Sequence, residues 1–113
     1  MGMVRNYVLI VLDCVRKDYF DKYAKRLRKK SDISFEECRA ASSWSPPSHG
    51  SIFTGELPHK HGVHKYDNDF SILEEDELIF THIPGHVTHA VNGNPCIDAG
   101  DFESIFDTYD EEI

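Results

Sequence analysis

The chain has 113 residues, 40% of them hydrophobic, and a formal net charge of -8. That length sets a ceiling of one hydrophobic core, burying roughly two-thirds of the surface that the unfolded chain exposes, and the apolar content excludes a disordered segment. The negative charge disfavours nonspecific nucleic-acid binding, which rests on Lys and Arg neutralising phosphates, and leaves small molecules or proteins as the expected partners.

The longest apolar run, Tyr7 to Leu12, falls far short of the ~20 residues that span a bilayer, and no charged start leads into an apolar stretch and a small-residue cleavage site. Cys14, Cys38 and Cys96 are odd in number, widely spaced and without a Cys-x-x-Cys pair. That usage suits a reducing compartment and suggests neither a disulfide framework nor a thiolate zinc site. A soluble, cytoplasmic chain without membrane contact is expected.

In chain order, Tyr7-Val8-Leu9-Ile10-Val11-Leu12 is apolar on both faces and rich in β-branched residues, the pattern of a parallel strand covered by helices on both sides. From Lys17 to Lys29, Tyr19, Phe20, Tyr23, Ala24 and Leu27 recur at helical spacing with basic residues between them, which predicts an amphipathic helix. Ile33 to Ala40 is a weaker strand candidate. A turn-rich stretch from Ala41 to Pro47 follows, then a short helix over Ser48 to Thr54 that Gly55 ends. Glu56 to Asp69 has little periodicity and reads as loop. Glu75 to Ile83 reads as a short helix stopped by Pro84-Gly85, and His86 to Val91 as a strand. The acidic tail from Asp98 to Ile113 carries Phe102, Ile105, Phe106 and Tyr109, apolar positions that should dock. Strands alternating with helices predict an α/β fold, an open, mostly parallel sheet flanked by helices in three layers, forming a single domain over residues 1–113.

Two segments carry chemistry. In an open α/β sheet ligands collect at the C-terminal strand ends, where Asp13 is expected. A carboxylate held there is a hard oxygen ligand for a divalent cation, or else an N-cap for the next helix. The second segment is Ser45-Pro46-Pro47-Ser48-His49, a hydroxyl just before a proline-initiated helix. Helix dipole and free N–H groups there favour a phosphate or sulfate group, which a serine can attack if a base such as His49 or a metal activates it. Helix capping is the competing role for Ser45 or Ser48.

Other clusters read as bland. His59, His61 and His64 lie close together, but their spacing matches no closed zinc pattern, so surface histidines are expected. The basic run Lys25 to Lys30 suits the dipole at a helix end, and Cys14 reads as buried and inert.

Trp44-Ser45-Pro46-Pro47-Ser48-His49, with Thr54-Gly55 in register, resembles the signature of the sulfatase and alkaline-phosphatase superfamily, in the Trp-Thr/Ser-x-Pro-Ser-His version of many sulfatase-like proteins. Val8 to Asp18, VLIVLDCVRKD, is similar to the family's opening strand and its Asp-x-x-Arg-x-Asp continuation. TGELPHKHGV, Thr54 to Val63, is similar to the stretch after the nucleophile helix, and Ala90 to Pro95 to a later strand and loop. The resemblance implies an alkaline-phosphatase-like fold, incomplete here, and the N-terminal part of a catalytic domain. It implies transfer of a sulfuryl or phosphoryl group from a small-molecule sulfate or phosphate ester, with Ser45 as the nucleophile, unmodified or converted to formylglycine. His49 stands where the signature has Arg, and Asp13 falls on a ligand position for a divalent metal ion, calcium, magnesium or zinc. Cys14 replaces a second Asp that many sulfatases carry, and the family draws its remaining ligands from a later segment. A fragment, or one piece completed by a homo-oligomer or partner chain, is therefore implied; the alternative is a non-catalytic remnant serving as an anion-binding or assembly module.

Overall fold

A computed structural model of the chain describes residues 5–65, 70–94 and 101–111, without the side chains of residues 101 and 102. Two compact units make up the chain, Met1–Glu36 and Glu37–Ile113. Helices and a parallel two-stranded sheet together give a mixed α/β structure. Among the described residues no helix is long and apolar enough to cross a membrane.

In the first unit, helix α1 (Lys17–Tyr23) runs into helix α2 (Lys25–Lys30). The sequence pattern predicts one continuous helix, but Ala24 breaks it: its φ of -89° and ψ of 31° depart from helical values, and it closes α1 by donating its N–H to the Phe20 carbonyl. Neither helix buries a residue. Their order comes instead from an ion-pair network, in which Lys17 reaches Asp21 and Glu36 while Arg28 reaches the same two carboxylates.

The buried strand expected over residues 7–12 is not formed. Those residues have no regular secondary structure and stay exposed, Val8 at 82%. A parallel strand needs neighbours for its N–H and C=O groups, and among its described residues this unit contains no other strand. Residues 33–40 are likewise exposed and irregular. Cys14, expected to be buried, is exposed for the same reason, since no sheet forms around it.

The second unit is built on helix α3 (Ser45–Thr54) and the short helix α4 (Pro58–His61). Helix α3 begins three positions earlier than the pattern predicts, with Ser45 as its first residue, because prolines are tolerated in a first turn whose N–H groups have no intrahelical partner. Gly55 ends it in the left-handed region at φ 73°, donating its N–H to the Ser51 carbonyl at 2.9 Å. Helix α4 lies in the stretch read as loop, bounded by Pro58 and by Gly62 at φ 82°.

Residues 75–83 form two 3₁₀ turns, Glu75–Glu77 and Ile79–Thr81, rather than one helix. Leu78 between them is extended (φ -91°, ψ 133°) and fully buried. Strand β1 (His89–Asn92) overlaps the predicted strand and pairs in parallel with β2 (Thr108–Glu111), His89 opposite Thr108. A reciprocal clasp sets that register: Asp107 Oδ2 accepts from the Thr88 N–H at 2.7 Å, and Thr88 Oγ1 accepts from the Asp107 N–H at 3.0 Å.

The core gathers Phe53, Val63, Phe70, Leu73 and Leu78, with Phe80, Ile105 and Phe106 packed against it. Phe53 links α3 to this core, its ring 6.0 Å from Phe70 and 5.2 Å from Phe80. Ile105 and Phe106 thus dock as the acidic tail's pattern predicts. Residues 66–69, Pro95, Cys96 and Asp98 lie outside the described residues.

Candidate functional site

Trp44, extended at φ -142° and ψ 164°, leads into Ser45 at the head of α3. A helix start leaves its first N–H groups without intrahelical partners. Pro46 and Pro47 have none to offer, and Ser48 donates its N–H to the Trp44 carbonyl at 3.4 Å. The dipole remains, but the helix start presents fewer donors to an anion than an ordinary one. The Ser48 hydroxyl donates to the Ser42 carbonyl at 3.0 Å, tying the preceding turn to the helix.

His49, one turn on, is 4% exposed, and its Nδ1 lies 2.9 Å from the Ser45 carbonyl oxygen. A carbonyl only accepts, so Nδ1 carries the proton in this contact. The ring also packs 5.8 Å from Phe53. His49 therefore joins the segment that bears Ser45 to the core. Asp13 belongs to the first unit, where its Oδ1 accepts the Cys14 N–H at 3.0 Å. Among the described residues no group of three or more His, Cys, Asp or Glu is placed to hold a metal ion.

Sequence reasoning expects His61 at the surface, or by the resemblance in a loop near the site, and misses its burial. It is 6% exposed, with its ring against the backbone of α3. Nδ1 accepts the Val63 N–H at 3.1 Å, and Nε2 lies 3.1 Å from Ser51 Oγ. Because Nδ1 is an acceptor, the neutral ring carries its proton on Nε2 and donates it to Ser51. That is the wrong tautomer for a base that takes a proton from Ser51, so the pair is a structural contact. Burial, the largest influence, pushes the His61 pKa down; a backbone hydrogen bond with Pro47 opposes it. Gly50 was the available signal, since a glycine inside a helix marks a close approach.

The stretch TGELPHKHGV acquires local roles from this geometry. Thr54 Oγ1 donates to the Gly50 carbonyl at 2.7 Å and accepts the Glu56 N–H at 3.1 Å. Gly55 and Gly62 end their helices, Pro58 starts α4, and Val63 is fully buried. Comparison of the chain with protein-family models, curated proteins and solved structures returns no match.

Proposed function

We propose that the chain is the nucleophile-bearing portion of a sulfatase-like hydrolase or transferase acting on small-molecule sulfate or phosphate esters, built on an alkaline-phosphatase-like sheet that a second copy or a partner chain completes. The observation that carries this reading is the position of Ser45 as the first residue of α3, held by a buried His49 and followed at Pro47 by the proline of the Trp44-to-His49 motif.

In this reading Ser45 Oγ gives up its proton and bonds to the phosphorus or sulfur atom as the ester P–O or S–O bond breaks, the alcohol leaves carrying that proton, and water then hydrolyses the serine ester to free phosphate or sulfate and restores the hydroxyl. His49 orients the first turn through the Ser45 carbonyl. Asp13 would offer one hard oxygen ligand to a divalent cation, whose chemistry when bound is to favour a deprotonated hydroxyl nucleophile. A reducing, cytoplasmic setting suits the exposed thiols of Cys14 and Cys38.

The remnant reading draws support from the same helix. Two prolines thin its N–H donors, and both His49 and His61 are committed to structural contacts. Hydrolysis of an aryl phosphate and an aryl sulfate by the full chain, with calcium, magnesium or zinc supplied in turn, separates the two. Turnover that Ser45→Ala abolishes, with unchanged circular dichroism, supports the nucleophile. A folded wild-type chain inert with every cation overturns self-sufficient catalysis.

A further inference from the structure

We propose that His61 is an acid-released latch between helices α3 and α4, closed while its ring is neutral and opened when the ring takes up a second proton. The geometry admits one tautomer. Val63 N–H points at Nδ1 from 3.1 Å, Ser51 Oγ sits 3.1 Å from Nε2, and the ring face meets α3 at Gly50. A main-chain N–H can only donate, so Nδ1 must present its lone pair.

Protonation places a hydrogen on Nδ1, facing the Val63 N–H. The hydrogen bond is then replaced by two opposed donors at a residue with no solvent exposure of its own. The ring lies close against α3, since a β-carbon on Gly50 would fall 2.7–3.1 Å from its Cε1, Nδ1 and Nε2. Relief requires the ring to leave α3, and α4 ends at His61.

The charged groups around the ring do not compensate. His64, beyond α4, disfavours a second positive charge, while Glu56 in the α3–α4 turn and Glu77 in the first 3₁₀ turn favour it; burial exceeds each of them. Helix α3 contributes one titratable side chain, His49, already engaged with the Ser45 carbonyl. The second 3₁₀ turn, Ile79–Thr81, contributes none. On α4 itself, His59 and Lys60 are exposed.

The direction in pH follows. A folded pKa below the ordinary histidine value of 6.5 means that the open form binds the proton more tightly than the closed one. The latch is fully closed above 6.5 and loosens progressively as pH falls below it, until the folded pKa is passed.

The test is nuclear magnetic resonance on the full chain, following the His61 ring nitrogens and hydrogen exchange at the Val63 amide between about pH 8 and pH 5. The expected result is a neutral ring protonated on Nε2, with Val63 protection, corrected for intrinsic exchange, falling about tenfold or more as the ring titrates. In His61→Gln, which cannot titrate, that fall should vanish. A ring protonated on Nδ1 at high pH, or protection that falls equally in His61→Gln, overturns the latch. Should the variant fail to fold, the wild-type tautomer and the match between ring titration and Val63 protection decide alone, and neither readout uses turnover.

Discussion

The imidazole of His61 occupies the space a β-carbon on Gly50 would need: Cε1 lies 2.7 Å from that position, and Nδ1 and Nε2 lie 3.0 and 3.1 Å from it. Two opposing effects bear on Gly50→Ala. Helix propensity favours alanine by about 1 kcal/mol, whereas forcing an atom into a packed contact costs about 1–3 kcal/mol. His61 is pinned at both nitrogens and cannot retreat without losing a hydrogen bond, so the clash wins and Gly50→Ala lowers stability. In a His61→Ala background the clash is gone and the same substitution should raise stability by about 0.5–1 kcal/mol. Urea unfolding of the four proteins measures both signs, and an unchanged sign would remove His61 as the reason for the glycine.

Phe53 joins the Ser45 helix to the aromatic core of its unit. Its ring lies tilted against His49, Phe70 and Phe80, and Phe80 continues to Phe106 at 4.9 Å. Removing a buried phenyl ring costs about 3–5 kcal/mol, a large part of the stability of a small domain. Phe53→Ala should therefore abolish cooperative unfolding of residues 37–113 and collapse their amide dispersion, while Phe53→Leu retains both with a lower melting temperature. Retention of a full cooperative transition by the alanine variant would mean that the core does not hang on this ring.

What the sequence made legible was local. The end of α3 at Gly55 and the strand at residues 89–91 follow from glycine's access to positive φ and from the apolar, β-branched run, and both are found. The break at Ala24 and the two turns around Leu78 were hidden, because tertiary burial of one leucine and a single departure from helical angles leave no periodic trace. Tyr7 to Leu12 shows the limit most plainly: a strand is defined by its partner, and apolar content alone does not provide one. Of the site, the prolines mark a helix start just after Ser45, whereas Ser45 is itself the first helical residue. His49 reads from the motif as a catalytic group, but its burial and its contact with Ser45 are packing facts that no motif spells out.

The ion-pair network of the first unit predicts a plateau in pH. Hydrogen bonding to Lys17 holds the Asp21 and Glu36 carboxyls below their ordinary values of 3.8 and 4.5, and hydrogen bonding to Asp21 raises Lys17 above 10.5. Depressed carboxyls stabilise above their unfolded values, and this is lost as pH falls through the folded ones. A raised lysine stabilises below its unfolded value, and this is lost as pH climbs through the folded one. The helical chemical shifts of residues 17–30 should accordingly stay constant between 4.5 and 10.5 and decline outside that window. Lys17 and Glu36 are more than half exposed and Asp21 is 34% exposed, so salt should weaken the helices across the plateau. Helical shifts indifferent to both salt and acid would show that the network does not hold α1 and α2.

Residues 7–12 form the least ordinary surface in the chain. Val11 is the most covered of the six and is still 39% exposed, and none of the six is charged or is proline. Short segments of high β propensity and no charge readily recruit a pairing strand. The wild-type chain should therefore associate as its concentration rises, with light scattering showing growth in mass and a fluorescent dye of apolar surfaces showing binding. Val8→Lys together with Ile10→Lys places charges on the run and should suppress both signals. Because the buried core lies wholly in residues 37–113, the double variant should leave the unfolding of that unit unchanged. If the wild-type chain stays monomeric and dark at every concentration, the run is already covered in solution and the open strand is not a docking edge.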